Sequence, residues 1–292
     1  MNNDSPVTLK KKPLVIFHGN CIDGFGAAWA FWHVFKLGCD YMEGHYGGDI
    51  PDVTDRVVYL VDFSYKRSVV EEMLLVATSI TYIDHHKSAI QDLAGLEGLI
   101  QYVDNERSGA VLAWDFLTLT HYLDMHTREI PKLLLHIQDR DLWQFKLGGT
   151  KEITQGLFSY EYQFPIWDDI VVNGDQALLQ LYSDGAAIAR KESKDIRMII
   201  KTCMRDMYIG GYIVPAVNAV FSMASEVGSI VAPGHQFCAI YYDTEDRRIF
   251  SLRSVIADGG IDVSTIAFLY GGGGHAQASG FSVPRNHPLG MA

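Results

Sequence analysis

The sequence predicts an α/β protein: a mostly parallel sheet with helices on both faces, then a smaller C-terminal α/β domain, with an active-site cleft between them. Three observations predict it. The runs "LVIF" (14–17), "VVYLV" (57–61) and "ITYI" (80–83) are short and continuously apolar, as strands covered on both faces require. Helical stretches separate them, the alternation expected of a doubly wound domain. Near residue 205 the texture changes, and strand-like segments succeed one another.

Each element has its own justification in the residues. In "DGFGAAWAFWHVFK" (23–36), Phe25, Ala28, Trp29, Trp32 and Phe35 fall at i, i+3, i+4, i+7 and i+10. That spacing makes one apolar stripe, read as core rather than as a base-stacking platform. "SYKRSVVEEMLLVA" (64–77) and "SGAVLAWDFLTLTHYL" (108–123) read as further helices, the second with a cap at Ser108. Residues 130–200 look mostly helical, and "SDGAAIARKESKDIRMIIKTCM" is long and charged enough to connect two domains. Beyond it, "YIVPAVNAV", "FCAIYYD" and "RIFSLRSV" are strand-like, "SEVGSIVA" is helical, and a short helix "DVSTIAFLY" precedes a glycine run. The expected boundaries are 13–185 for the first domain, 186–204 for the connecting helix and 205–284 for the second domain. The ending "PRNHPLGMA" reads as a ragged tail.

Composition narrows the function. The chain has 292 residues, 48% of them hydrophobic and 20% charged, which is ordinary for a globular protein. A net charge of −11 with no long basic run argues against a broad groove for long duplex nucleic acid. A small anionic substrate held by a few local cations and metals suits this balance. None of Cys21, Cys39, Cys203 and Cys238 forms a C-x-x-C pair, so neither a zinc knuckle nor a dithiol redox site is indicated. Their spread fits a reducing compartment. The apolar run before His18 is too short for a signal-peptide core or a membrane span, so a cytoplasmic protein with no membrane partner is expected. "KKK" (10–12) reads as a solvated lead-in. The sequence contains no G-x-S-x-G elbow and no Walker loop, so neither a serine-hydrolase nor a P-loop reading competes for the site.

The chemistry-bearing residues fall at strand ends. "LVIF" ends in His18, "VVYLV" in Asp62, and "ITYI" in Asp84, His85 and His86. The carboxyl edge of an open parallel sheet is where sites form. One Asp after a strand is ordinarily a turn former or a cap. Three strands delivering Asp and His to one edge instead build a divalent-metal site, and the imidazoles favour Mn, Fe or Zn over Ca. Farther on, four consecutive glycines before His275 let a backbone approach an anion closely; a plain flexible turn is the alternative. Arg253 falls in the strand-like "RIFSLRSV", where a surface-strand arginine is the ordinary reading.

Together these motifs resemble the DHH phosphoesterase superfamily, in particular its oligoribonuclease-like members that cleave short oligonucleotides. "DHH" (84–86) is the name-giving motif, and "HGNCIDGFGAA" (18–28) resembles the first motif. "VDFS" (61–64) resembles the second, "IQDRDLW" (137–143) the fourth, and "GGGGHAQASGF" (271–281) the C-terminal DHHA1 domain. The resemblance implies two divalent ions, Mn2+ first and Mg2+, Co2+ or Fe2+ as alternatives, bridged by Asp62. His18 and Asp62 would hold one ion; Asp23, Asp62, His85 and Asp139 would hold the other, with Asp141 the second candidate for the Asp139 position. His86 would face the phosphate, and Asp84 would orient a neighbouring histidine. Asp62, Asp84 and His86 thus form the expected catalytic group. Gly272, Gly273, Gly274, His275, Ser279 and Arg253 would bind the substrate's terminal phosphate or nucleotide. "SGA" (108–110) is given an accessory role near the metals.

One motif departs from the pattern. The family usually has two acids in the first motif; here Cys21 stands where the first would be, and the gap from His18 is one residue shorter. Cys21 is thus a thiolate ligand, a small buried residue with water completing the site, or the mark of a weak site. The expected function is a metal-dependent phosphodiesterase that hydrolyses short oligonucleotides or dinucleotides to mononucleotides. The alternative is a nucleotide sensor with little or no turnover. Lesser alternatives are a nucleoside bisphosphate phosphatase or a cyclic dinucleotide phosphodiesterase. A homodimer is the family's common arrangement.

Overall fold

The computed structural model describes residues 11–120, 122 and 129–291. One compact unit runs to Ile188 and a second begins at Ala189.

The first unit is built on five parallel strands: β1 (Leu14–His18), β2 (Asp40–Gly44), β3 (Val57–Val61), β4 (Ser79–Asp84) and β5 (Leu99–Val103). Their order is β2-β1-β3-β4-β5. After β1 the chain passes through α1 (Ile22–Phe35) to β2 on one side, and β3 then lies on the other. The crevice where the order reverses lies between β1 and β3, the place where open α/β sheets hold ligands. The central strands are apolar throughout because both faces are covered. Val15, Phe17, Tyr59, Val61 and Ile83 face one core, and Leu14, Ile16, Val58, Leu60, Ile80 and Tyr82 face the other. The second core is closed by α2 (Arg67–Leu74), through Val70 and Met73, and by α3 (Lys87–Asp92), through Ala89 and Ile90. The first is closed by α1, α4 (Gly109–Leu119), α5 (Lys132–Asp141), α6 (Thr150–Leu157), α7 (Phe164–Val172) and the start of α8 (Gly174–Cys203).

Helix α1 departs from the expected single stripe. Every residue from Ile22 to Phe31 is buried, as in a helix enclosed on all sides. Trp29 lies in the core, with Trp32 and Phe35 packed half-buried against it. Gly26 permits the close crossing of α1 and α4: a Cβ there would lie 2.9 Å from that of Ala110. Part of the expected helix 108–123 lies outside the described residues; α4 itself ends at Leu119.

Helix α8 carries the chain into the second unit. Its mixed six-stranded sheet contains β6 (Met204–Ile209), β7 (Tyr212–Asn218), β8 (Cys238–Asp243), β9 (Arg247–Arg253), β10 (Gly273–Gly274) and β11 (Ala278–Pro284), in the order β10-β11-β9-β8-β7-β6. Only β7 and β8 pair in parallel. Helix α9 (Ala224–Val231) and Ile196 of α8 cover one face, and α10 (Val263–Leu269) covers the other. The C-terminal segment is not a ragged tail. It forms α11 (Pro288–Met291), buries Leu289 in the core, and Arg248 donates to the Leu289 carbonyl. Among the described residues no helix is long and apolar enough to cross a membrane.

Candidate metal centre

The carboxyl ends of β1, β3 and β4 bring His18, Asp62, Asp84, His85 and His86 together. Asp62 comes just after β3 with a left-handed backbone (φ 54), a strained conformation for a residue with a side chain. Its carboxylate is 1% exposed, and both oxygens are buried without an accepted hydrogen bond. The nearest donors are His85 Nε2 at 3.2 Å and His18 Nδ1 at 3.5 Å. Gly109, at the start of α4, makes room for it: a Cβ there would stand 2.5 Å from the Cβ of Asp62.

Asp23 enters from α1 and is fully buried. Its carboxylate accepts the backbone N–H groups of Gly109 and Ala110, the latter at 3.0 Å. Asp23 therefore caps α4 from another element and uses the positive end of that helix. Ser108 stands at the N-cap position, but its hydroxyl makes no capping bond. The "SGA" segment thus works through its backbone donors. Asp84, buried, accepts from Tyr82 Oη at 2.7 Å, from the His85 N–H at 2.7 Å and from His86 Nδ1 at 2.7 Å. It therefore fixes the His86 ring and assigns the proton to Nδ1. Asn105 donates to the His85 carbonyl.

The two acids of "IQDRDLW" go separate ways. The motif favours Asp139 as the ligand, but Asp141 is the one that stands in a cluster of donor atoms, while Asp139 is used elsewhere. Its carboxylate accepts from the N–H groups of Lys146 (2.8 Å) and Leu147 (3.0 Å) and from Thr150 Oγ1 (2.6 Å), so it fastens the segment after α5. Asp141, roughly 200° farther round the helix, places a carboxylate oxygen 3.5 Å from His85 Nε2. Motif alignment does not separate the two acids; helical phase sends their carboxylates in different directions.

Within the first unit, three overlapping donor groups among the described residues have atoms within 4.8 Å of one another: His18, Cys21 and Asp62; Asp62, Asp84, His85 and His86; and Asp23, His85 and Asp141. Cys21 thus stands beside His18 and Asp62. Without a cation the acids disfavour one another. Burial and the negative charges of Asp62 and Asp141 push the Asp23 carboxyl well above its usual range. Burial and the same acids also push the Cys21 thiol up. Burial would lower the histidines, but Asp141 and Asp62 outweigh it at His85, which is pushed up to about 11. Asp62 outweighs it at His18, and Asp84 at His86. Burial would raise Asp62, but His18 and His85 hold it well below the usual carboxylate range. The acids thus favour the charged form of these imidazoles, a positive charge that a divalent ion would otherwise supply. The orphaned Asp62 oxygens and the mixed N/O donor set fit such an ion.

The expected substrate-binding residues lie in the second unit. The glycine run does not open a helix. It comes after α10 and forms the β10–β11 hairpin, with Gly273 opposite Gly280 and Gly274 opposite Ser279. Gly271 leaves α10 at φ 78, and a Cβ on Gly272 would meet the Gly280 carbonyl at 2.0 Å. These glycines are demanded by the turn itself. The Ser279 hydroxyl donates to the carbonyl of His275 at 2.7 Å. Arg253 donates to the Leu252 carbonyl (2.9 Å) and to Ser225 Oγ (3.2 Å), with its stem against Gly228.

No family model matches the chain. It is 27% identical, over 299 residues, to an uncharacterized protein of Acanthamoeba polyphaga mimivirus, covering 92% of this chain and 67% of that one. Among solved structures it is similar to a pGpG-specific phosphodiesterase, PggH, from Vibrio cholerae, at 15% identity and a TM-score of 0.48, covering 94% of each chain. It is also similar to an exopolyphosphatase-related protein from Bacteroides fragilis, at 15% identity and a TM-score of 0.49, covering 93% of this chain and 86% of that one.

Proposed function

We propose that the chain is a divalent-metal-dependent phosphoesterase acting on short oligonucleotides or dinucleotides, with Mn2+ the preferred ion. One observation carries the reading. Asp62 presents two buried carboxylate oxygens that accept no hydrogen bond, ringed by histidine nitrogens from the ends of β1 and β4. A buried, unsatisfied carboxylate is costly unless something binds it.

His18 and Asp62, with Cys21 alongside, would hold one ion; Asp23, Asp62, His85 and Asp141 would hold the other. Bound there, divalent ions lower the pKa of a water and neutralise a phosphate. The chain's own residues set the rest. Asp84 keeps the His86 proton on Nδ1, so that Nε2 is the nitrogen that meets a phosphate oxygen or, when protonated, donates to the departing oxygen. The α4 N-terminus holds Asp23 in place, and Gly109 keeps Asp62 within reach. Arg253 and the hairpin residues Gly272, Gly273, Gly274, His275 and Ser279 are the proposed contacts to the substrate's terminal phosphate. The sensor alternative rests on Cys21 alone, and the assembled acids and histidines favour turnover.

The test is hydrolysis of a panel of dinucleotides, short RNAs and DNAs, bisphosphonucleosides and cyclic dinucleotides with Mn2+, Mg2+, Co2+ or Fe2+, products being resolved by length. Wild type should release mononucleotides from the shortest oligomers, and Asp62→Ala should lose about 10³-fold in kcat/KM. Equal inertness of both proteins across the panel would end the proposal.

A further inference from the structure

We infer that Trp143, edged by Arg140, is a nucleobase-stacking subsite beside the metal centre; this rests on the proposed phosphoesterase function and adds the part of the substrate that the ring would hold. Helix α5 ends in a Schellman turn: the Gln144 N–H donates to the Asp139 carbonyl and the Trp143 N–H to the Arg140 carbonyl, both at 2.9 Å. The residue at the turn has a left-handed backbone, where glycine fits without strain, yet it is Trp143, at φ 56. Phe145 repeats the departure at φ 49. Burial does not compensate, since Trp143 is 42% exposed. A stable fold alone would be served better by glycine, and strain of this kind gathers where a side chain is needed for binding.

The surroundings say what kind of ligand. The Arg140 guanidinium lies over two rings, 4.8 Å from the centre of Phe158 and 5.7 Å from that of Trp143. Lys151 Nζ lies 4.9 Å from the centre of Phe145. Phe158 is itself 39% exposed. Exposed Trp143 and Phe158 beside a guanidinium, with an ammonium near half-buried Phe145, suit a flat, anionic ligand, a base with its phosphate. An apolar protein segment would instead have to strip water from both cations. The position is also apt. Asp141 directly follows Arg140 and lies two residues before Trp143, and its carboxylate is 3.5 Å from His85. The rings and the metal-centre acid are thus carried by the same end of α5.

The test compares wild type, Trp143→Gly and Trp143→Phe. The probes are a phosphorothioate ribotrinucleotide and an abasic trinucleotide of equal length and charge. Binding is read by calorimetry with Mn2+ present, and thermal midpoints are measured alongside. Wild type should bind the base-bearing probe roughly tenfold more tightly than the abasic one. Trp143→Gly should lose that preference with an unchanged or higher midpoint, and Trp143→Phe should keep most of it. The inference is overturned if wild type shows no preference, if Trp143→Gly retains it, or if Trp143→Gly melts earlier and binds both probes equally less well. Binding is read without turnover, so failure to hydrolyse any phosphodiester would count against the proposed activity and leave this comparison decided on its own.

Discussion

The strand ends of the first unit and the glycine hairpin of the second both stand out in the sequence, and they differ in where their polar atoms go. In the hairpin, Ser279 donates to the His275 carbonyl, and in the neighbouring strand β9 Arg253 donates to the Leu252 carbonyl and Ser225. At the strand ends, Asp62 keeps two buried oxygens without a hydrogen bond, and like charges crowd around it. A buried carboxylate left without a hydrogen bond is costly unless something else binds it. The same contrast recurs two residues apart in α5, where Asp139 is satisfied by the chain and Asp141 turns toward His85.

That inner contrast can be broken by two substitutions. Asp141→Asn should weaken Mn2+ binding at least 10–100-fold by an order-of-magnitude estimate, with little change in thermal midpoint. Asp139→Ala should do the reverse. Two backbone donors and a threonine hydroxyl lose their acceptor, at a cost of about 1–3 kcal/mol to stability, while Mn2+ binding is retained. Calorimetry and thermal melts on both variants decide it; interchanged results would return the ligand role to Asp139. A smaller effect is expected at Asp84, which touches His86 without belonging to the reacting groups. Asp84→Asn should lower kcat by about 10–100-fold, while Mn2+ stoichiometry stays as in wild type. A loss of the metal itself would make Asp84 a ligand instead.

Much of this is legible in the sequence, for physical reasons. Continuous apolar runs mark β1, β3 and β4 because both their faces are buried, and the residues just past them have to emerge on one edge. The strands β2 (DYMEG) and β5 (LIQYV) lie at the sheet's edges, where partial exposure blurs the apolar signal. The choice between Asp139 and Asp141 turns on helical phase and on a loop that folds back with its N–H groups, neither of which a motif records. Gly109 reads only as a small residue; its closeness to Asp62 is a fact of tertiary packing. The glycine run reads as freedom to approach an anion, whereas Gly271 and Gly272 are first required by the turn and by the Gly280 carbonyl. The strain at Trp143 has no sequence signal beyond an aromatic placed where a helix ends.

The central claim is that Asp62 and its histidines form a divalent-ion site, and a manganese titration of the metal-free protein tests it most directly. His18 and His85, the two histidines proposed as ligands, hold their protons more tightly than usual, so bound Mn2+ must displace protons. Affinity should therefore fall as pH falls, by about tenfold per unit for each proton displaced. Wild type should show saturable, proton-releasing Mn2+ binding at pH 8 that weakens at pH 6 and is lost in Asp62→Ala. Mn2+ binding that is absent from wild type, or identical in wild type and Asp62→Ala, would contradict the claim.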